Sequence, residues 1–184
     1  MRKVRFSVAA SLDGFIAGPN GEHDWIIMDS GIDFRAFFAS IDTVLVGRRT
    51  YEMAKGTGPS GAMAGIKPIV YSRTLKAKDH PGVTIHANAP ESVAALKAQE
   101  GKDIWLMGGG GLFRSLLEAR LVDTVELGVM PVMLGSGIPL LPGPFSICPL
   151  KLDSSKVLES GALMLRYSFA PPGARAKPSS RRRP

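Results

Sequence analysis

Asp103-Ile104-Trp105-Leu106-Met107-Gly108-Gly109-Gly110-Gly111-Leu112-Phe113 is the stretch whose reading decides the fold. A short apolar run ends in four glycines, and a helical spacing begins at once with Leu112, Phe113, Leu116, Leu117 and Leu121. This is the pattern of a strand entering a helix through a turn without side chains. Such a turn lets another group approach the backbone closely, and the N–H groups that open the helix favour an anion. Taken alone, the run reads equally as a tight strand–helix turn with no ligand or as a seat for phosphate.

Working outward, the same grammar recurs. Residues 3–10 alternate as a first strand, and residues 11–21 form a long turn-rich loop with apolar anchors. Residues 33–40 place Phe34, Phe37 and Phe38 at helical spacing, and the β-branched run 41–46 reads as a buried strand. Gly47-Arg48-Arg49-Thr50-Tyr51-Glu52 is a second strand-to-helix junction, and residues 57–65 read as a flexible loop. Further strands are expected at 67–73, 83–86 and 122–130, with a helix at 90–99 that has proline in its first turn. Three late strands, near 147–152, 154–159 and 162–169, are expected as an antiparallel set. Strands alternating with helices predict an α/β domain with a mainly parallel sheet, helices on both faces and antiparallel C-terminal strands.

The composition narrows the class. At 184 residues, 45% hydrophobic and 21% charged, the chain suits one globular domain. We assign that domain to residues 1–170 and a basic, disordered tail to 171–184. Of the net charge of +7, five charges are Arg175, Lys177, Arg181, Arg182 and Arg183 in the tail. The body is thus only mildly basic, which suits an anionic small molecule and gives no basic face for a specific nucleic acid. The tail leaves salt-sensitive nucleic-acid binding as a lesser alternative. No apolar run reaches eighteen residues, so no membrane span is expected. The start of the chain lacks the long apolar core of a signal peptide, and the single Cys148 fits a reducing, cytoplasmic compartment.

In a parallel sheet, ligands sit at the carboxyl ends of the strands near a switch point. Those ends carry Ala9-Ala10, Gly47-Arg48-Arg49-Thr50, Ser72-Arg73 and the glycine run. Guanidinium forks suit phosphate, and two separated cationic sites beside bare backbone match a dinucleotide with an extra phosphate, such as NADPH.

Five motifs in order then carry a resemblance. They are Ser11-Leu12-Asp13-Gly14-Phe15-Ile16-Ala17, Gly47-Arg48-Arg49-Thr50-Tyr51-Glu52, Tyr71-Ser72-Arg73, Gly108–Gly111, and Pro131-Val132-Met133-Leu134-Gly135-Ser136-Gly137-Ile138-Pro139-Leu140. Together they resemble the dihydrofolate reductase-like superfamily, and within it the bacterial branch that shares the reductase (RibD C-terminal) domain of riboflavin biosynthesis. The resemblance implies a mixed sheet of eight or nine strands, NADPH as hydride donor, and a homodimer. Ala9 and Ile16 would flank the nicotinamide, while Gly47, Arg48, Arg49, Thr50, Ser72 and Arg73 would hold the phosphates. Met107, Gly108, Gly109, Gly110, Gly111 and Leu112 would line the pyrophosphate and ribose.

Reduction of C=N or C=O also needs a proton. Asp13 resembles a position that orders the active-site loop or contacts substrate, and reads equally as a turn residue before Gly14. Asp33 lies near the acid of dihydrofolate reductase, and reads also as a helix cap. Trp25 and Phe37 are the candidates to line the substrate pocket, with core packing as the other reading. The histidines have no metal-like spacing, so no metal is expected. The expected activity is an NADPH-dependent reductase of a small heterocycle, pterin-like or a ribosylaminopyrimidine. The alternatives are a reductase of an unrelated carbonyl or imine compound, or an NADP(H) sensor without turnover.

Overall fold

The computed structural model describes residues 1–54 and 65–169. Of the expected flexible loop at 57–65, residues 57–64 lie outside the described residues, as do the end of the assigned domain at 170 and the tail 171–184.

An eight-stranded sheet forms the body. Its strands are β1 (Val4–Ser11), β3 (Ile41–Gly47), β4 (Lys67–Tyr71), β5 (Thr84–His86), β6 (Asp103–Gly108), β7 (Thr124–Met130), β9 (Leu150–Val157) and β10 (Leu163–Phe169). They lie side by side in the order β5-β4-β3-β6-β1-β7-β10-β9. The six strands from β5 to β7 are mutually parallel, and β10 then runs antiparallel to both β7 and β9. The helices are α1 (Phe34–Ala39), α2 (Arg48–Ala54), α3 (Ala89–Ala98) and α4 (Gly110–Glu118).

Alternation along β1 divides the core. Val4, Phe6 and Val8 face α3 and α4 and share a cluster with Val93, Phe113 and Leu116, while Phe6 and Phe113 stack with centroids 3.8 Å apart. On the other face Val44, Val46 and Val70 pack with Tyr51 of α2, and Trp105 meets the edges of Phe37 and Phe38 from α1. Helices therefore cover both faces, as the strand–helix alternation requires.

A half-buried ion pair ties this second face together. Arg5 Nε and NH2 each donate to Glu126 at 2.9 Å, and the guanidinium lies 5.0 Å from the centre of the Phe37 ring. The bidentate geometry and the aromatic contact compensate the desolvation of both charges.

Two details depart from the sequence reading. The late antiparallel set has two strands, since residues 147–159 supply only β9, whose pairing with β10 shifts register opposite Asp153. The polar run Asp153-Ser154-Ser155 resembles a turn, but a bulge absorbs the extra residue and the strand continues. The long loops at 11–21 and 131–141 also pair with each other through β2 (Phe15–Ala17) and β8 (Ile138–Pro139).

Candidate functional site

A cleft of about 1170 Å³ opens at the carboxyl ends of the parallel strands. The crossover order places β6 between β3 and β1, so β6 delivers its glycines to the middle of the cleft floor. Of the expected cofactor residues, Ile16, Gly47, Arg48, Arg49, Thr50, Ser72, Arg73, Met107, Gly109, Gly110, Gly111 and Leu112 line this single cavity.

The cationic end is built at two strand ends. Arg48 is already engaged: its Nε donates to Glu52 at 2.8 Å and its NH1 to Thr74 at 2.9 Å. Among the described residues, Arg49 and Arg73 have no ion-pair partner, and both are exposed. The Ser72 hydroxyl accepts from Thr74 N and Leu75 N at 3.1 and 3.0 Å and thereby shapes the turn that presents Arg73.

The glycines differ from one another. A Cβ at Gly110 would lie 2.8 Å from both Pro139 O and Pro142 Cδ, so this position must be bare for the 138–142 segment to pack. At Gly111 a Cβ would meet nothing within 4 Å, and at Gly109 only Thr50 Oγ1 at 3.4 Å. Open backbone at the start of α4, a hydroxyl and two uncommitted guanidinium groups fit a phosphate-bearing ligand. The residues present suit the expected dinucleotide.

The remaining expected residues stand outside the cavity lining. Gly108 is buried just below the floor, with φ near 130° and a cis peptide to Gly109. Ala9 faces away and packs with Trp25 and Met164 against Met130, Leu158 and Ala162. Trp25 is held there, its Nε1 donating to Glu22 O at 3.0 Å. Phe37 lies between Trp105 and Arg5. Asp33 caps α1, accepting from Ala36 N at 2.8 Å with its side chain in solvent.

Asp13 is a clamp between two loops. Its carboxylate accepts from Ser11 Oγ at 2.6 Å, Gly135 N at 2.7 Å and Leu134 N at 3.1 Å. The Ser11 hydroxyl, with the two backbone N–H groups, holds its pKa down at about 2. Leu12 N to Val132 O at 2.8 Å and Leu140 N to Gly14 O at 2.9 Å add stitches on either side. Asp29 is held below the usual carboxylate range by the turn at Ser160, whose N donates to Oδ2 at 3.0 Å, and by Gly31.

Residues that sequence reasoning missed complete the cavity: Pro19, Gly21, His23 and Ile26 from the first long loop, Met53 from α2, and Ile138 and Pro139 from the second. Gly18 N bonds to Glu22 O at 2.8 Å, folding residues 18–22 back over the cleft, where a Cβ at Gly21 would collide with the Met53 thioether. The one signal in the sequence is the Gly-Pro-Asn-Gly turn at 18–21, which predicts a reversal without saying where it points.

Residues 2–164 match the family model described as RibD C-terminal domain. The chain is 36% identical over 179 residues to the uncharacterized protein YyaP of Bacillus subtilis, covering 91% of this chain and 95% of that one. It is 26% identical over 158 residues to the riboflavin biosynthesis protein RibD of Corynebacterium ammoniagenes, covering 78% of this chain and 47% of the other. In structure it resembles a Thermotoga maritima diaminohydroxyphosphoribosylaminopyrimidine deaminase/5-amino-6-(5-phosphoribosylamino)uracil reductase, with a TM-score of 0.68 at 17% identity over 92% of this chain and 57% of that one. A sheet with six parallel strands, an antiparallel flank and glycines at its switch point agrees with this likeness, and the chain belongs to the RibD C-terminal domain family, with the dihydrofolate reductase-like fold.

Proposed function

We propose that this chain is a cytoplasmic NADPH-dependent reductase of a small heterocyclic or related C=N or C=O compound. The observation that carries the reading is the convergence of Arg49, Arg73, Thr50 and the open glycines on one cleft. When bound, NADPH supplies the two electrons and the hydrogen for the carbon that is reduced. Arg49 and Arg73 hold the phosphates of such a ligand, and the start of α4 accepts its pyrophosphate. Arg48 contributes less, because Glu52 and Thr74 already occupy its guanidinium. Ile16, Ile26 and Met107 supply apolar wall to the same cleft.

The likeness to proteins of riboflavin biosynthesis makes a ribosylaminopyrimidine the first substrate to try, with dihydrofolate and dihydrobiopterin beside it. The test is fluorescence titration of NADPH against NADH at low salt, followed by NADPH oxidation over that panel. NADPH is expected to bind at least ten times more tightly than NADH, and the Arg49→Ala, Arg73→Ala double variant to abolish the difference (charge-assisted bonds are worth about 1.5–3 kcal/mol each). A folded protein that retains no NADPH defeats the reading. Binding without turnover favours the sensor alternative.

We further propose that the protein is a homodimer. β10 is paired on both sides, yet none of its seven residues is buried. Leu163, Leu165 and Tyr167 form an uncharged face with Leu150, Leu152 and Val157 of β9, whereas Lys151, Lys156 and Arg166 point to the opposite face. An uncharged face of one antiparallel flank suits isologous packing against its own copy. Light scattering is expected to give a dimer for the native chain and a monomer for Leu165→Lys; a native monomer at micromolar concentration overturns the assignment.

A further inference from the structure

The proposed reduction needs a proton at the atom beside the reduced carbon, and the acids expected to give it are placed for other work. Asp13 is saturated by donors from two loops, Asp29 is tied to Ser160 and Gly31, Asp33 caps a helix, and none of the three lines the cleft. Glu126 is pinned by Arg5 beneath α1. The ionisable side chains lining the cleft are His23, Tyr71, Arg48, Arg49 and Arg73. Arginine does not release its proton near neutrality. The Tyr71 hydroxyl is engaged with Ser92 Oγ at 3.1 Å, beside the Ser72–Arg73 turn. Among the described lining residues, only His23 has a side chain of the type that exchanges a proton near neutral pH.

The geometry of His23 also assigns its nitrogens. Nδ1 lies 3.1 Å from Gly21 O, and a carbonyl can only accept, so Nδ1 carries a hydrogen and Nε2 is left to gain and give one. The ring is exposed, so solvent can reload it. Its loop is held over the cleft by the Gly18–Glu22 reversal and by the Trp25 anchor. The charged side chains that share its cavity lining are Arg48, Arg49 and Arg73, and Glu22 and Asp24 adjoin it in the chain. The Glu22 carboxylate is occupied by Asn20, whose N and Nδ2 donate to it at 2.9 and 2.8 Å.

We propose that His23 is the proton donor of this site, acting from Nε2. The inference rests on the reductase reading above. The substrate C=N or C=O π bond breaks, and its carbon takes a hydrogen with two electrons from the nicotinamide reductant. The substrate nitrogen or oxygen takes the proton from Nε2, leaving a neutral imidazole that water reprotonates. A positioned donor of this kind is worth about 10²–10⁴ in rate.

The test uses the full chain and His23→Gln, with circular dichroism to confirm folding. NADPH affinity by fluorescence should agree within threefold between the two, which separates this inference from the cofactor reading: if neither binds, the cofactor reading fails first. In NMR, the ring signals of His23, identified by their loss in the variant, should move on saturation with NADP⁺. Ring signals that ignore NADP⁺ overturn the proposal whether or not any substrate turns over. With the ribosylaminopyrimidine or dihydrofolate as probe, His23→Gln should lose at least 100-fold in kcat. It should also lose the high-pH limb of the rate profile, whose midpoint should match the His23 midpoint measured by NMR. Added imidazole should restore part of the rate in His23→Ala. If neither probe turns over, the NADP⁺ arm decides. A variant that keeps both its rate and its pH limb overturns the assignment.

Discussion

At one end of the cleft, the groups facing the cavity lie within a few residues of a strand end: Gly47 to Thr50 after β3, Ser72 and Arg73 after β4, and Gly109 to Leu112 after β6. The rest of the lining comes from two long loops joined by contacts that span the chain, such as Asp13 to Gly135, 122 residues apart. The first end is set by local backbone geometry, since a strand that becomes a helix must present its junction at the sheet edge. The second exists only because a carboxylate gathers donors from a distant loop. It follows that the phosphate end should fail through single backbone positions, and the loop end through loss of the clamp.

The largest effect should separate two neighbouring glycines. Gly110→Ala forces a methyl against Pro139 O and Pro142, and is expected to destabilise by about 1–3 kcal/mol with loss of NADPH binding. Gly111→Ala meets no atom, so its thermal stability should hold or rise by up to about 1 kcal/mol. Its NADPH affinity should still fall on the order of tenfold, because the open space is where the pyrophosphate approaches. Thermal melts with and without NADPH distinguish the two. Equal loss of stability in both would break the distinction between a packing glycine and an access glycine.

Asp13→Asn comes next. Misplacing the loops that line the substrate end should lower kcat/KM by up to about 100-fold while NADPH affinity changes little. The variant should also melt earlier than the native chain at pH 7. Because the folded pKa is depressed, the carboxylate's contribution is complete above its unfolded value of 3.8 and is lost as pH falls through about 2. Melting curves between pH 7 and pH 2 should therefore converge only in the acid range. A gap that stays constant throughout would mean the charge of Asp13 is irrelevant.

Asp33→Ala should have the smallest effect. Loss of its cap to Ala36 should cost about 1 kcal/mol, with kcat and its pH profile unchanged. A changed pH profile would return Asp33 to the chemistry and blur the division between the two ends.

The same contrast explains how far the sequence could be read. The glycine run, the two Arg-bearing junctions and the alternating strands were legible because periodicity and backbone freedom act over four or five residues. The strand-like run 147–159 was misread as two strands because a bulge and a turn have similar polar composition. Ala9 is expected beside the nicotinamide and Trp25 in the substrate pocket, yet both pack against Met130, Leu158 and Ala162, since alternation along β1 turns Ala9 away from Val8. His23 carried no pattern of its own and became visible only through the reversal at Gly18–Glu22.

By itself, then, the sequence determined the layered α/β architecture and the strand-end glycines and arginines that line the cleft, because strands, helices and bare glycine junctions are local consequences of side-chain pattern. Only the tertiary structure decided which acids are structural and which titratable group borders the cavity. Asp13 and Asp29 are held by Gly135 and Ser160, 122 and 131 positions away, and no local preference encodes such a distance.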